Sequence, residues 1–214
     1  MRPIVRDGLG VGVAVGALGL SFGALAVASG LSVLQACALS LLMFTGASQF
    51  AFVGLIGGGV AAAVATALLL GARNSLYGLR LAPYLRPRGL AAHFVIDESA
   101  AMAVRDTPDD TRLGFWSAGL AVFAFWNVAT LIGALAGNAI SDPNAFGLDA
   151  AAPAAFLALL APRLTTREPQ AIAGLAAVAA LASAPFVPAG TPVLVAAVVA
   201  VAAALAPQRE PVPA

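Results

Sequence analysis

The chain has 214 residues, 61% of them hydrophobic and only 10% charged, with a formal net charge of +1. A soluble domain carries roughly 25% charged residues, so the natural solvent for this composition is a membrane, and the small net charge argues against a nucleic-acid partner. All eleven Lys and Arg positions are Arg, and there is one cysteine, which excludes a phosphate-loop lysine, a lysine Schiff base and an intrachain disulfide.

Between Gly8 and Ala72 there is no Asp, Glu, Lys, Arg or His, and one crossing needs about 20 apolar residues. Two or three passes fit in that run. The pattern predicts one all-α polytopic membrane bundle of about seven hydrophobic segments, within a range of six to eight, over residues 1–206, followed by a short polar tail over 207–214. No metal-ligand spacing and no cofactor motif is present, and Cys37 reads as a small buried thiol.

Arg2 and Arg6 precede the first segment, which reads as an uncleaved helix because membrane character simply continues after it. Gly12, Gly16, Gly19 and Gly23 share one helical face and offer a close-packing seam. The next stretch, 31–59, is interrupted at Thr45, Gly46, Ala47, Ser48 and Gln49 and again at Gly57, Gly58 and Gly59. Such residues favour a break, and a broken or re-entrant helix near 45–58 survives at membrane depth only where it is buried in protein or lines a cavity.

A helix over Val60–Leu85 places Thr66, Leu70, Arg73, Tyr77, Arg80 and Tyr84 on one face, with Asn74 beside the stripe. Arg80 reads as snorkelling to the interface, while Arg73 either does the same or faces the bundle interior. Pro83 and Pro87 close the helix, and Arg86 and Arg88 resemble a cytoplasmic flank. In the short segment Leu90–Val104, His93 and Asp97 are four apart and would touch on a helix, with Glu98 adjacent, as a proton-responsive cluster. The alternative is an interfacial helix with its polar face in water.

Phe115–Gly137 reads as a strong span with Trp126, Asn127 and Thr130 near its middle and a packing seam at Gly133 and Gly137. Asp149 caps the next short helix, which ends at Arg163 and Arg167; Ala171–Val187 and Pro192–Leu205 complete the bundle. The arginine distribution predicts a cytoplasmic N-terminus and C-terminal tail. Three full passes do not fit between an N-terminus and an Arg86 flank that are both inside, so either residues 31–58 are re-entrant or Arg86 lies outside and residues 90–104 cross back.

The series Gly46-Ala47-Ser48-Gln49-Phe50, Arg73 with Tyr77-Gly78, Leu81-Ala82-Pro83-Tyr84, Asp97-Glu98, Trp126, Thr130, Gly133, Gly137, Asp142-Pro143 and Gly147-Leu148-Asp149 resembles the AzlC family, the large subunit of branched-chain amino acid exporters. The likeness covers roughly residues 8 to 165, and Ile96 stands where much of the family has Thr. It implies export of Leu, Ile, Val and in some members Met across a bacterial inner membrane, with a small hydrophobic AzlD-type partner subunit. The expected substrate site is Thr45 to Phe50 with Arg73, Asn74 and Tyr77. Backbone N–H groups at the break would take the carboxylate, Asp97 or Glu98 the ammonium, and Phe50 and Leu55 the side chain. His93, Asp97 and Glu98 are the proton-coupling candidates. The competing readings are an intramembrane hydrolase using Ser48 or Ser75 with His93, a non-transporting subunit, and a transporter of another small solute.

Overall fold

The computed structural model describes residues 2–139, 157, 160–161, 164–187 and 191–205, and every regular element among them is helical. Four helices are long and apolar enough to cross a membrane, Pro3–Ala28, Val60–Leu81, Pro108–Ala139 and Arg167–Phe186, and three shorter apolar helices accompany them. The chain is a multi-pass helical membrane protein. Its first span is α1 (Pro3–Gly16) running into α2 (Leu18–Ala28) through a mild irregularity at Ala17.

This span lies along α8 (Pro108–Ala139). Gly8 faces Ser117, Gly12 faces Ala121, Gly16 faces Phe125, and Gly137 faces Ala24. Numbers rise together on both helices, so the two are parallel. Gly133 lies against the Leu20 carbonyl, where a side chain would collide with backbone. Between helices in lipid there is no hydrophobic drive to associate, and close backbone approach supplies the packing instead. The seams at Gly12, Gly16, Gly133 and Gly137 are therefore two sides of one contact.

From the far end of α2 the chain turns back in α3 (Val33–Leu42), capped by Ser32 and Gln35, which exchange side-chain and backbone hydrogen bonds. α3 runs against the direction of α8: the Ser40 hydroxyl donates to Asn127 at 2.8 Å, and Phe44 further on packs on Phe123 at 5.0 Å between ring centres. The chain then reverses again. In α4 (Ala47–Leu55) Gln49 is level with Leu39, whose carbonyl accepts from the Gln49 amide at 3.3 Å, and Phe50 packs on Phe22 and Trp126. Residues 31–58 are thus a re-entrant hairpin that enters and leaves by one end.

A 3-10 turn at Ile56–Gly58 and Gly59, at φ +126°, lead into α5 (Val60–Leu81). α5 descends opposite to α8 and meets its start, where Arg112 Nε donates to the Tyr84 carbonyl at 2.7 Å. It stops at Leu81, short of the expected Leu85, because Pro83 has no N–H with which to continue the ladder.

The expected segment Leu90–Val104 is two helices of six residues each, α6 (Arg88–His93) and α7 (Asp97–Met102). At 1.5 Å per residue each is about 9 Å long, too short to cross. Phe94, at the turn between them, packs on Phe123 at 5.2 Å, and the Met102 carbonyl returns to Gly114. This is a second re-entrant hairpin, entering from the opposite end, so residues 90–104 do not cross back. α9 (Arg167–Ser183) and α10 (Thr191–Leu205) pack on each other, with α10 touching α5. Asp149 and the short helix expected after it lie outside the described residues.

Candidate functional site

The two hairpin tips meet at the level of Phe123 and Trp126, near the middle of the 32-residue α8, whose ends project past a hydrocarbon core of about 30 Å. Irregular backbone at that depth needs its polar groups paired within the protein. At the first tip Gly46 adopts φ +52°, a conformation that suits glycine, and its N–H donates to Gln49 Oε1 at 3.0 Å. The Gln49 amide therefore serves both the tip and the end of α3. At the second tip Ser99 does the same work: the Ile96 N–H donates to its oxygen at 3.0 Å, and its hydroxyl donates to the Phe94 carbonyl at 2.6 Å. Gln49 and Ser99 are both fully buried, each three residues past the turn it closes.

Beside the tips Arg73 forms a two-pronged ion pair with Asp97, Nε to Oδ1 at 3.0 Å and Nη2 to Oδ2 at 2.6 Å, while Nη1 donates to the Leu70 carbonyl at 2.9 Å. The fork geometry is the strong form of this interaction. Arg73 thus faces inward, and its side chain retains 26% exposure against 33% for Asp97, so the pair borders open space rather than sealed core. The sequence spacing pointed elsewhere. Phe94–Ile96 are not helical, so His93 and Asp97 do not share a helix; the His93 ring lies 6.0 Å from Phe44 and 5.8 Å from Phe123, with Phe94 at 5.5 Å.

On the Asp97 side of the pair lie two cavities; Arg73 itself lines neither and is reached only through Asp97. A vestibule of about 590 Å³ is lined by Tyr77, Arg80, Tyr84, Glu98 and Arg105 among others, at the end where α5 finishes and α8 begins. An inner cavity of about 40 Å³ lies between the tips, lined by Thr45, Gly46, Ala47, Phe50, Ile96 and Trp126 among others. Asp97 and Glu98 line both. The vestibule has the size of an ordinary ligand pocket, about 300–1,000 Å³. The inner cavity holds a few waters, each needing about 10–15 Å³, and no amino acid.

Of the residues singled out from the sequence, Thr45, Gly46, Ala47, Phe50, Asp97 and Glu98 come together at the inner cavity, and Tyr77 lines the vestibule. Ser48 and Gln49 are buried but line neither; Ser48 faces Gly71 on α5, and Gln49 holds the hairpin closed. Asn74 is partly buried, its Oδ1 without a hydrogen-bond partner among the described residues. Leu55 is at the far end of α4 and lines neither cavity. Trp126, read as a packing residue, is also cavity wall, and its Nε1, like Thr45 Oγ1, is buried without a hydrogen-bond partner among the described residues. Sequence reasoning missed the structural role of Ser99, for which a serine three residues past a helix start was the available signal. It also missed the link from Ser40 to Asn127 and Thr130 behind the first tip.

The family described as AzlC protein matches residues 10–140, which contain both hairpins, the ion pair and α8. An uncharacterized membrane protein of Archaeoglobus fulgidus is 32% identical over 163 residues, covering 74% of this chain and 74% of that protein. No solved structure matches the chain.

Proposed function

This chain belongs to the AzlC family, and from that premise we propose that it is the pathway-forming subunit of a secondary transporter that exports branched-chain amino acids. The observation that carries the reading is the meeting of two broken hairpins at mid-membrane, beside an Arg–Asp pair and a pocket-sized vestibule. Transporters place such breaks where substrate is held, and an ionised pair inside a membrane marks a solute or ion path by default. Arg2, Arg6, Arg80, Arg86, Arg88, Arg105 and Arg112 all lie at the vestibule end. The excess of arginine supports a cytoplasmic position for that end in a bacterial cell, the side from which an exporter loads. A non-transporting subunit would hold Ser48, Gln49, Arg73 and Asn74 on lipid or partner surfaces and away from a shared cavity; Ser48 and Gln49 are buried, none of the four lines either cavity, and what supports a pathway is that Asp97 and Glu98 line both.

In this reading substrate enters the vestibule, its ammonium drawn to Asp97 and Glu98 and its aliphatic side chain to the apolar wall of the inner cavity. The machinery is non-enzymatic, and a small hydrophobic AzlD-type subunit completes it, the apolar outer faces of α5, α9 and α10 being available for that partner or for lipid. Efflux of labelled leucine from proteoliposomes, with this chain alone and with the small subunit, is the test. Efflux that needs both chains and fails with Arg73→Ala supports the assignment; no efflux in any combination, with both proteins inserted, refutes it. Proton coupling through Asp97 is a separate element, and an unchanged pH dependence of efflux in Asp97→Asn would remove it.

A further inference from the structure

We propose that the Arg73–Asp97 fork is a gate that a zwitterion opens by substituting for it: the solute's carboxylate takes Arg73 and its ammonium takes Asp97. This rests on the transport reading above and adds how a solute gets from the vestibule to the tips. Asp97 and Glu98 line both cavities, so the first turn of α7 is the wall between them. The fork ties that turn to α5 through two hydrogen bonds, and the third guanidinium nitrogen is anchored on Leu70.

Opening the wall means parting the pair. Parted without replacement, the guanidinium and the carboxylate each lose the opposite charge of their two-pronged pair at membrane depth, which is strongly unfavourable whatever neutral partners they keep. A simple anion satisfies Arg73 and leaves Asp97 exposed; a simple cation does the reverse; a neutral solute does neither. An α-amino acid carries both charges on one carbon. Its carboxylate matches the guanidinium fork, and its ammonium donates to Asp97 and to Glu98. Glu98 is available for this, because no ion pair engages it among the described residues. With the pair so divided, α7 is released from α5 and the inner cavity can widen around the aliphatic side chain. Phe44, Phe50, Ile96, Val122 and Trp126 already line it. Selection at the gate is therefore by charge pattern, before the side chain is tested.

The experiment reads the accessibility of the inner cavity. In the full chain with Cys37→Ala, Thr45→Cys reports the inner cavity and Ala101→Cys the vestibule, each exposed to a small charged thiol reagent from the arginine-rich side. Ala101→Cys should react under all conditions, which shows that the reagent reaches the vestibule, and a single monodisperse peak by size exclusion in detergent shows that each variant is folded. Thr45→Cys should react slowly, and leucine should accelerate it by roughly tenfold, within the ordinary span of ligand coupling. 4-Methylpentanoate, which lacks the ammonium, and 3-methylbutylamine, which lacks the carboxylate, should not. Adding Asp97→Asn should make Thr45→Cys reactive without any solute, and the exchange Arg73→Asp with Asp97→Arg should restore protection. Equal acceleration by all three solutes, or protection that survives Asp97→Asn, overturns the gate. If another zwitterion opens the cavity and leucine does not, the gate stands and the branched-chain assignment falls. If leucine is exported while Thr45→Cys stays protected throughout, export stands and the gate falls.

Discussion

Gln49 closes the first hairpin with a single amide, accepting from Gly46 and donating to Leu39, and Ser99 closes the second with a single hydroxyl. Gln49→Ala leaves the Gly46 N–H without its partner, the Leu39 carbonyl keeping the Met43 N–H, and Ser99→Ala leaves the Ile96 N–H and the Phe94 carbonyl without theirs, at about 1–3 kcal/mol for each orphaned group. Gln49→Ala and Ser99→Ala should each lower the unfolding temperature measured in detergent, while Gln35→Ala, an exposed cap at the mouth of the same hairpin, should cost no more than about 1 kcal/mol. Ile96 is the N-cap of α7, with extended backbone and no side-chain cap bond. Ile96→Thr should therefore stabilise the tip by about 0.5–1 kcal/mol, read as a higher unfolding temperature; a lower one would mean that the apolar contact of Ile96 outweighs the cap. The break at Gly46 was visible in the sequence, because glycine and hydroxyl residues in an apolar run announce one. The Arg73–Asp97 pair was not: its members are 24 positions apart, and local spacing coupled Asp97 to His93 instead.

At the scale of helices, the parallel contact of α1–α2 with α8 depends on which glycines face the seam. A side chain on Gly12 would meet the backbone of Ala121, whereas one on Gly10 meets nothing within 4 Å. Gly12→Leu should destabilise by about 1–3 kcal/mol or prevent assembly, while Gly10→Leu stays within about 0.5 kcal/mol of the parent by thermal unfolding. The i, i+4, i+7, i+11 spacing made this seam legible, since close packing in lipid leaves a trace in composition. The second hairpin left only Ser99. Its turn is Phe94-Val95-Ile96, a run without glycine or proline, and the local pairing of the Ile96 N–H with Ser99, three residues on, makes a turn there tolerable. The re-entrant path makes a direct prediction. Gly89→Cys and Val104→Cys, which flank the hairpin, should both be labelled by an impermeant thiol reagent from the same side of the membrane, and labelling from opposite sides would turn the hairpin into a crossing.

Across the whole molecule, a span followed by a broken hairpin occurs twice, α1–α2 with α3–α4 and then α5 with α6–α7, the second copy running the opposite way. Inverted repeats of this kind place a solute site where their broken elements meet, and rocking one against the other exposes it to each side in turn. Here the two sides are unequal: about 590 Å³ is open at the arginine-rich end, while the space between the tips is about 40 Å³. In the transport reading proposed above, this structure is one member of such a pair of states, open toward the vestibule and closed at the tips. Composition could not disclose this, because the vestibule is built from the end of α5, α7 and the start of α8, which meet only in three dimensions. If solute passes through it, the path can be plugged without touching the ion pair. Ala101 lines the vestibule, whereas Leu68 is 68% exposed on the outer face of α5. A bulky thiol reagent on Ala101→Cys, in the Cys37→Ala background, should abolish leucine efflux in proportion to labelling, and the same reagent on Leu68→Cys should leave efflux unchanged. Efflux that survives full labelling of Ala101→Cys would exclude the vestibule as the route and move the path to the outer surface of the bundle, where the apolar face of α5 is exposed.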